Sequence, residues 1–162
     1  MFGITNKNCF FKELKERNKV EVLITLDCSK CLKNIVELLI AFQQIGWGIY
    51  NAKGKIEFLP LGDKDDYAWQ CEEMSKRQLY DIVLEKIAHK EMVGINLFHQ
   101  NGIDGISLLA HNTNEIMLNI AINRRIIAEK HTDIIWYLDN IIYKFFSIGI
   151  NITSYKIEEF ED

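Results

Sequence analysis

Cys28-Ser29-Lys30-Cys31 sets two thiols three residues apart, directly after a strand-like run. At the start of a helix that spacing lowers a thiol pKa and supports dithiol redox chemistry. Two features argue against that use. Pro60, the single proline, follows a strand-like run instead of preceding a late strand near the cysteines, and Asp27 stands where an aromatic residue is usual before the first cysteine. The pair reads first as structural cysteines near a helix start, with thiol redox chemistry at Cys28 and Cys31 as an alternative. Zinc would need two further ligands. Cys9 and Cys71 are isolated and no two histidines have ligand spacing, so neither a metal site nor a cofactor is expected.

The segment Leu59-Pro60-Leu61-Gly62-Asp63-Lys64-Asp65-Asp66-Tyr67-Ala68-Trp69 puts a turn, three carboxylates and two aromatics into one loop, and Glu72 and Glu73 continue the charge. Aromatic side chains anchor interfaces, and clustered carboxylates speed encounter with a basic partner while discriminating against acidic ones. Asp63, Asp65, Asp66, Tyr67, Trp69, Glu72 and Glu73 are therefore the candidate partner-binding residues. A solvated loop with Trp69 packed inward is the plainer alternative. The tail Glu158-Glu159-Phe160-Glu161-Asp162 is a second acidic stretch.

Catalysis has little to work with. His89, His99, His111 and His131 are scattered, and His99 and His111 fall toward opposite ends of one hairpin, beyond hydrogen-bond reach of each other. Arg124-Arg125 follows a strand and could hold a phosphate, but a solvated pair in a loop is the preferred reading. The chain has no P-loop, dinucleotide-binding glycines, nucleophile elbow or zinc-protease helix. No catalytic residue is assigned.

The elements that would position these groups follow from periodicity. Cys9, Phe10, Phe11 and Leu14 suggest a short helix within 8–19, and alternation from Val20 to Leu26 predicts a strand. Leu32, Ile35, Leu38, Leu39, Phe42 and Ile45 form one helical stripe, with Asp27 and Ser29 offering cap oxygens and Gly46 at the C-terminal cap. Strand-like runs at 47–50 and 55–59 flank Asn51-Ala52-Lys53-Gly54, a hairpin-type turn. Ser75 caps a helix carrying Leu79, Ile82, Val83 and Ile87. Three alternating runs, 93–97, 106–110 and 116–122, are separated by Asn101-Gly102 and Asn112-Thr113-Asn114 and read as an antiparallel meander. Ile135, Leu138, Ile141, Ile142, Phe145 and Ile148 then repeat the first stripe, with Gly149 in the place of Gly46 and a strand opening at Ile150.

The predicted fold class is α+β: a single sheet containing the meander, covered by about three amphipathic helices. The 25 isoleucines, β-branched and suited to strands, agree with a core built largely on sheet. At 162 residues, with no Pro-, Ser- or Gly-rich linker, the chain reads as one domain over 1–162. Its net charge of −4 argues against a nucleic-acid binder. No apolar run reaches the roughly 18–20 residues of a membrane span, and the N-terminus lacks the order of a secretory signal, so a cytoplasmic location is expected. Acidity is local: residues 55–74 hold six acidic and two basic groups, as do residues 131–162.

This combination resembles the bacterial immunity proteins of polymorphic toxin systems, those of contact-dependent growth inhibition in particular. The resemblance covers the overall character of the chain together with Gly46-Trp47, the Asp-Asp-Tyr-Ala-Trp loop within Leu59 to Trp69, and Thr132-Asp133-Ile134-Ile135-Trp136-Tyr137. It implies a cognate toxin protein as partner, often a nuclease, neutralised by occlusion within a heterodimer, and it assigns no functional residue by position. The alternative is a small ligand-binding or regulatory α+β domain, working as a homo-oligomer through an exposed sheet edge.

Overall fold

The computed structural model describes residues 20–161, so the helix expected within 8–19 and Cys9 lie outside the described residues. The strands are β1 (Val20–Asp27), β2 (Trp47–Gly48), β3 (Ile56–Phe58), β4 (Gln70–Glu72), β5 (Val93–His99), β6 (Gly105–Ala110), β7 (Ile116–Ile122), β8 (Ile126–Ile127), β9 (His131–Thr132) and β10 (Ser154–Glu161). The helices are α1 (Ile35–Gln44), α2 (Lys76–Ala88) and a C-terminal helix of three parts: α3 (Ile134–Tyr137), a π-helical segment (Leu138–Ile142) and α4 (Tyr143–Ser147). One sheet runs in the order β10-β1-β7-β6-β5-β3-β4, with β2 added to the end of β5, while β8 and β9 form a separate ribbon. All the strand pairings of the described residues are antiparallel, and β5-β6-β7 is the expected meander. The fold is α+β.

Registered pairs fix which side chains share a face. Phe58 lies opposite Ile95, Ile95 opposite Leu108, Leu108 opposite Leu118, and Leu118 opposite Ile24. These residues are buried in one cluster with Ile35, Leu38 and Phe42 of α1, Leu79 and Val83 of α2, and Tyr137, Ile141 and Phe145 of the C-terminal helix. All the described helices therefore cover the same side of the sheet. The other side is more polar, because period-two alternation puts Glu57, Asn96, Ser107 and Asn119 there.

Several boundaries differ from the sequence reading for identifiable reasons. Asn34 caps α1, its side-chain oxygen accepting from Glu37 N at 3.0 Å. Asp27 instead accepts from the amide and hydroxyl of Ser29, at 3.0 and 2.7 Å, closing a local turn through 28–31. The turn at Asn51–Gly54 is closed, with Asn51 N donating to Lys55 O at 2.8 Å, yet β2 and β3 do not pair with each other; each adds to β5. Ser75 caps α2 through a reciprocal capping box with Gln78. Gly46 and Gly149 end their helices at φ of +97° and +82°, the left-handed region that suits glycine.

The second helical stripe is the main correction. Ile135 was expected on the buried face and is 70% exposed, whereas Tyr137 is fully buried. In the π segment the Tyr143 amide bonds to Leu138 O, five residues back, which inserts an extra residue and rotates the preceding turn. The Trp47 indole N–H donates to the Asn140 carbonyl inside that widened turn at 3.0 Å. His99 packs edge-on between Trp47 and Trp136, with ring centroids 5.0 and 5.1 Å away.

The arginine pair is consumed internally. Arg125 grips Asp104 through Nε (2.9 Å) and a terminal nitrogen (3.0 Å), donates its backbone amide to Tyr137 Oη, and lies 4.2 Å from the Trp136 ring centroid. Arg124 donates to Lys130 O and Thr132 Oγ1, both at 2.8 Å. Neither guanidinium is left as the phosphate holder or solvated pair suggested by sequence. The Asp104 carboxylate has no solvent exposure while the Arg125 side chain keeps 37% of its own, so the two partners are not equivalent. R125M strands a buried carboxylate with only the Asn101 amide and should cost about 3 kcal/mol or more. D104N lets Arg125 turn to water and should cost only about 1–2 kcal/mol. Urea denaturation of both variants checks this ordering, and a reversed order would show that the contact is not anchored on Asp104.

Candidate functional site

The Leu59–Trp69 loop joins β3 to the edge strand β4 and is built around Lys86. That lysine, from α2, is buried, donates from Nζ to Pro60 O at 2.7 Å, and lies near the carboxylates of Glu91, Asp63 and Asp65. Burial pulls its pKa below the ordinary lysine value, with the three carboxylates acting in the opposite direction. Glu91 also accepts from Gly62 N at 2.6 Å, and Asp63 accepts weakly from Ala68 N at 3.4 Å. Two non-glycine residues take left-handed conformations, Asp65 at φ +59° and Tyr67 at φ +52°. Such residues cost roughly 1–2 kcal/mol each and persist where surrounding contacts hold them.

The seven candidate residues divide accordingly. Asp63 is buried and serves the loop itself, facing inward beside Lys86. Trp69 is half-buried and engaged. Asp65, Asp66, Tyr67, Glu72 and Glu73 are exposed, with Tyr67 at 43%, and they run from the loop along β4 into the turn before α2. The structure thus brings together five of the seven on one outward segment.

The second acidic stretch serves the fold. Glu159 accepts from Thr132 N at 2.7 Å and contacts His131 Nδ1 at 3.0 Å, with Arg124 at 3.9 Å, pinning the β8–β9 ribbon to β10. The hydrogen bond to His131, then those to Thr132, hold its carboxyl down at about 2. Glu161 pairs with Lys130 and Glu158 with Lys156. Because the folded state holds Glu159 ionised below its ordinary 4.5, its contribution is complete above that value and disappears as pH falls toward 2. E159Q should cost about 1 kcal/mol at neutral pH and nothing near the acid limit. Thermal melts across that range check it, and a deficit that persists in acid would refute the ionic assignment.

Cys28 and Cys31 do not sit at a helix start, since α1 begins at Ile35. Burial, with Asp27 and Cys31 nearby, pushes the Cys28 thiol up to about 12, the opposite of what an attacking thiolate needs. Cys31 is exposed and its sulfur accepts from Asn151 N at 3.3 Å. Iodoacetamide applied to the native protein at about pH 8 should label Cys31 and spare Cys28 until the chain unfolds. Rapid labelling of native Cys28 would restore the redox alternative.

A cavity of about 820 Å³ was not foreseen from sequence. It opens between the Gly46–Lys53 segment, the β5–β6 turn and the end of β7, with Phe98, Ile103 and Ile122 among its apolar walls. Glu57 lines it while only 9% exposed, and burial raises its pKa, opposed by a bond from Asn51. The available signal was a charged residue inside an apolar run, Ile56-Glu57-Phe58. Among the described residues no group of three or more His, Cys, Asp or Glu is placed to hold a metal ion, and no helix is long and apolar enough to cross a membrane. No protein-family model, curated protein or solved structure matches the chain.

Proposed function

We propose that this protein is a cytoplasmic immunity protein, which binds a basic toxin domain, a nuclease by preference, and neutralises it by occlusion. The observation that carries this reading is the pinned loop. Lys86 and Glu91 fasten the loop at Pro60 and Gly62, Asp65 and Tyr67 take left-handed conformations within it, and Asp65, Asp66, Tyr67, Glu72 and Glu73 form an exposed row. A rigid loop loses little entropy on binding, so strain spent on its shape returns as affinity. The chemistry of the partner follows from charge. A nuclease must attract a polyanionic backbone and so presents Lys and Arg, and a carboxylate row is drawn to the same field. The C-terminal carboxylates, already engaged with Lys130, Lys156, Arg124 and His131, are set aside as a second contact surface.

The test is whether a toxin gene adjoins the gene for this chain and whether its product co-purifies with the protein, followed by association kinetics. D65N suits the test because Asn tolerates the left-handed region as Asp does, and D66N removes a charge at an exposed position outside that region. Combined with E72Q and E73Q, they should slow association roughly tenfold at low ionic strength and flatten its salt dependence. Unchanged kinetics would remove the loop as the steering surface, and an acidic or absent partner would end the inhibitor reading. The ligand-binding alternative rests on the cavity at Glu57.

A further inference from the structure

Glu57 and Asn96 lie on the half-covered side of the sheet, on adjacent strands one step beyond the Phe58–Ile95 pair. Both are costly where they are. The Glu57 carboxylate is nine-tenths buried, and no cation forms an ion pair with it among the described residues. The Asn96 side chain has no exposure; its Oδ1 accepts from Ser107 Oγ at 2.7 Å while its Nδ2 finds no partner in the protein. Buried polar groups without partners each cost about 1–3 kcal/mol, and a buried carboxylate costs more unless a cation meets it. An ordinary core would place apolar residues at both positions.

The cavity supplies a reason for Glu57. Its volume of about 820 Å³ falls within the range of small-ligand sites. Its walls include the apolar side chains of Phe98, Ile103 and Ile122, and its one buried charge is negative. Lys53, the other charged group lining it, is exposed and screened by water. His99 also lines it, but its ring is committed to Trp47 and Trp136, and its Nδ1 accepts from Asn101 N at 3.2 Å. Asn51 gives the carboxylate a hydrogen bond but no countercharge; an anion would meet it unfavourably, and a neutral apolar molecule would leave its charge uncompensated.

We propose that the cavity lined by Glu57 binds an organic cation, an ammonium or guanidinium group on a short apolar stem, with Glu57 as counter-ion and the Phe98, Ile103 and Ile122 walls against the stem. Such a group can come from a free small molecule or from a Lys or Arg side chain of a protein partner. The inference does not depend on the inhibitor reading, because it rests on the cavity and its carboxylate alone.

Titration with n-butylguanidinium, followed by amide and indole NMR shifts, tests it against n-butylurea, a neutral molecule of nearly the same shape. Butylguanidinium should bind at low-millimolar concentration, with butylurea weaker by roughly tenfold or more. E57Q, checked for native circular dichroism, should abolish that preference. The butylurea comparison uses the unaltered protein, so a folding defect in E57Q would leave the test intact. Equal binding of the two molecules, a preference surviving in folded E57Q, or no shift with either up to about 10 mM would overturn the proposal. Ac-Ala-Arg-Ala-NH2 separates the sources: binding tighter than butylguanidinium assigns the site to a partner's side chain, and weaker binding assigns it to a free cation.

Discussion

Among the described residues, helices cover one side of the sheet only, and the positions of the functional candidates follow from that constraint. Alternation along each strand sends Ile, Leu and Val toward α1, α2 and the C-terminal helix, where they close one continuous core. Every second residue must face the other way, where no helix lies among the described residues. Polar groups such as Glu57, Asn96, Ser107 and Asn119 are placed there by the same periodicity that builds the core.

Carboxylates in this protein have distinct physical fates, and only some of them are available to a partner. Asp104 is buried and fully matched by Arg125 and Asn101. Glu159 is held ionised by neighbours that tie a ribbon to the edge of the sheet. Asp63 and Glu91 shape a loop around Lys86. What remains among the described residues is an exposed row on the loop and β4, and the buried carboxylate of Glu57, with which no cation pairs. Local acidity in a sequence cannot separate these fates, because each depends on which cation the fold brings near. The two acidic stretches looked equivalent by composition, and the fold makes them different.

The legible part of the fold was the part that local rules determine. The meander follows from strict alternation between turn residues, the Ser75 cap from its Gln78 counterpart, and the ends of two helices from Gly46 and Gly149. What escaped depends on tertiary partners. A π segment leaves no sign in a period-3.6 pattern, so Ile135 was assigned the face that Tyr137 occupies. Asn34 displaced Asp27 and Ser29 as the cap because those two satisfy each other first. Arg125 could not be matched to Asp104 from 21 positions away without knowing that the β5–β6 turn meets the end of β7. The candidate loop was legible as a place but not as a geometry, since nothing in its composition marks Asp63 as inward and Asp66 as outward.

The exposed row and the cavity share a structural boundary, which bears on how one partner could use both. Tyr50 Oη donates to Met74 O at 3.3 Å, and Asn51 Nδ2 approaches Cys71 Sγ at 3.5 Å, so one wall of the cavity is fastened to the segment that carries Glu72 and Glu73. A basic surface steered to that row would arrive beside an opening with a carboxylate inside it. The two parts would then contribute differently: exposed carboxylates govern the rate of encounter and its salt dependence, whereas a desolvated pair at Glu57 would govern dissociation. Substitutions in the row and at Glu57 therefore separate in kinetics if one partner engages both, and they report on unrelated ligands if the cavity serves a free cation.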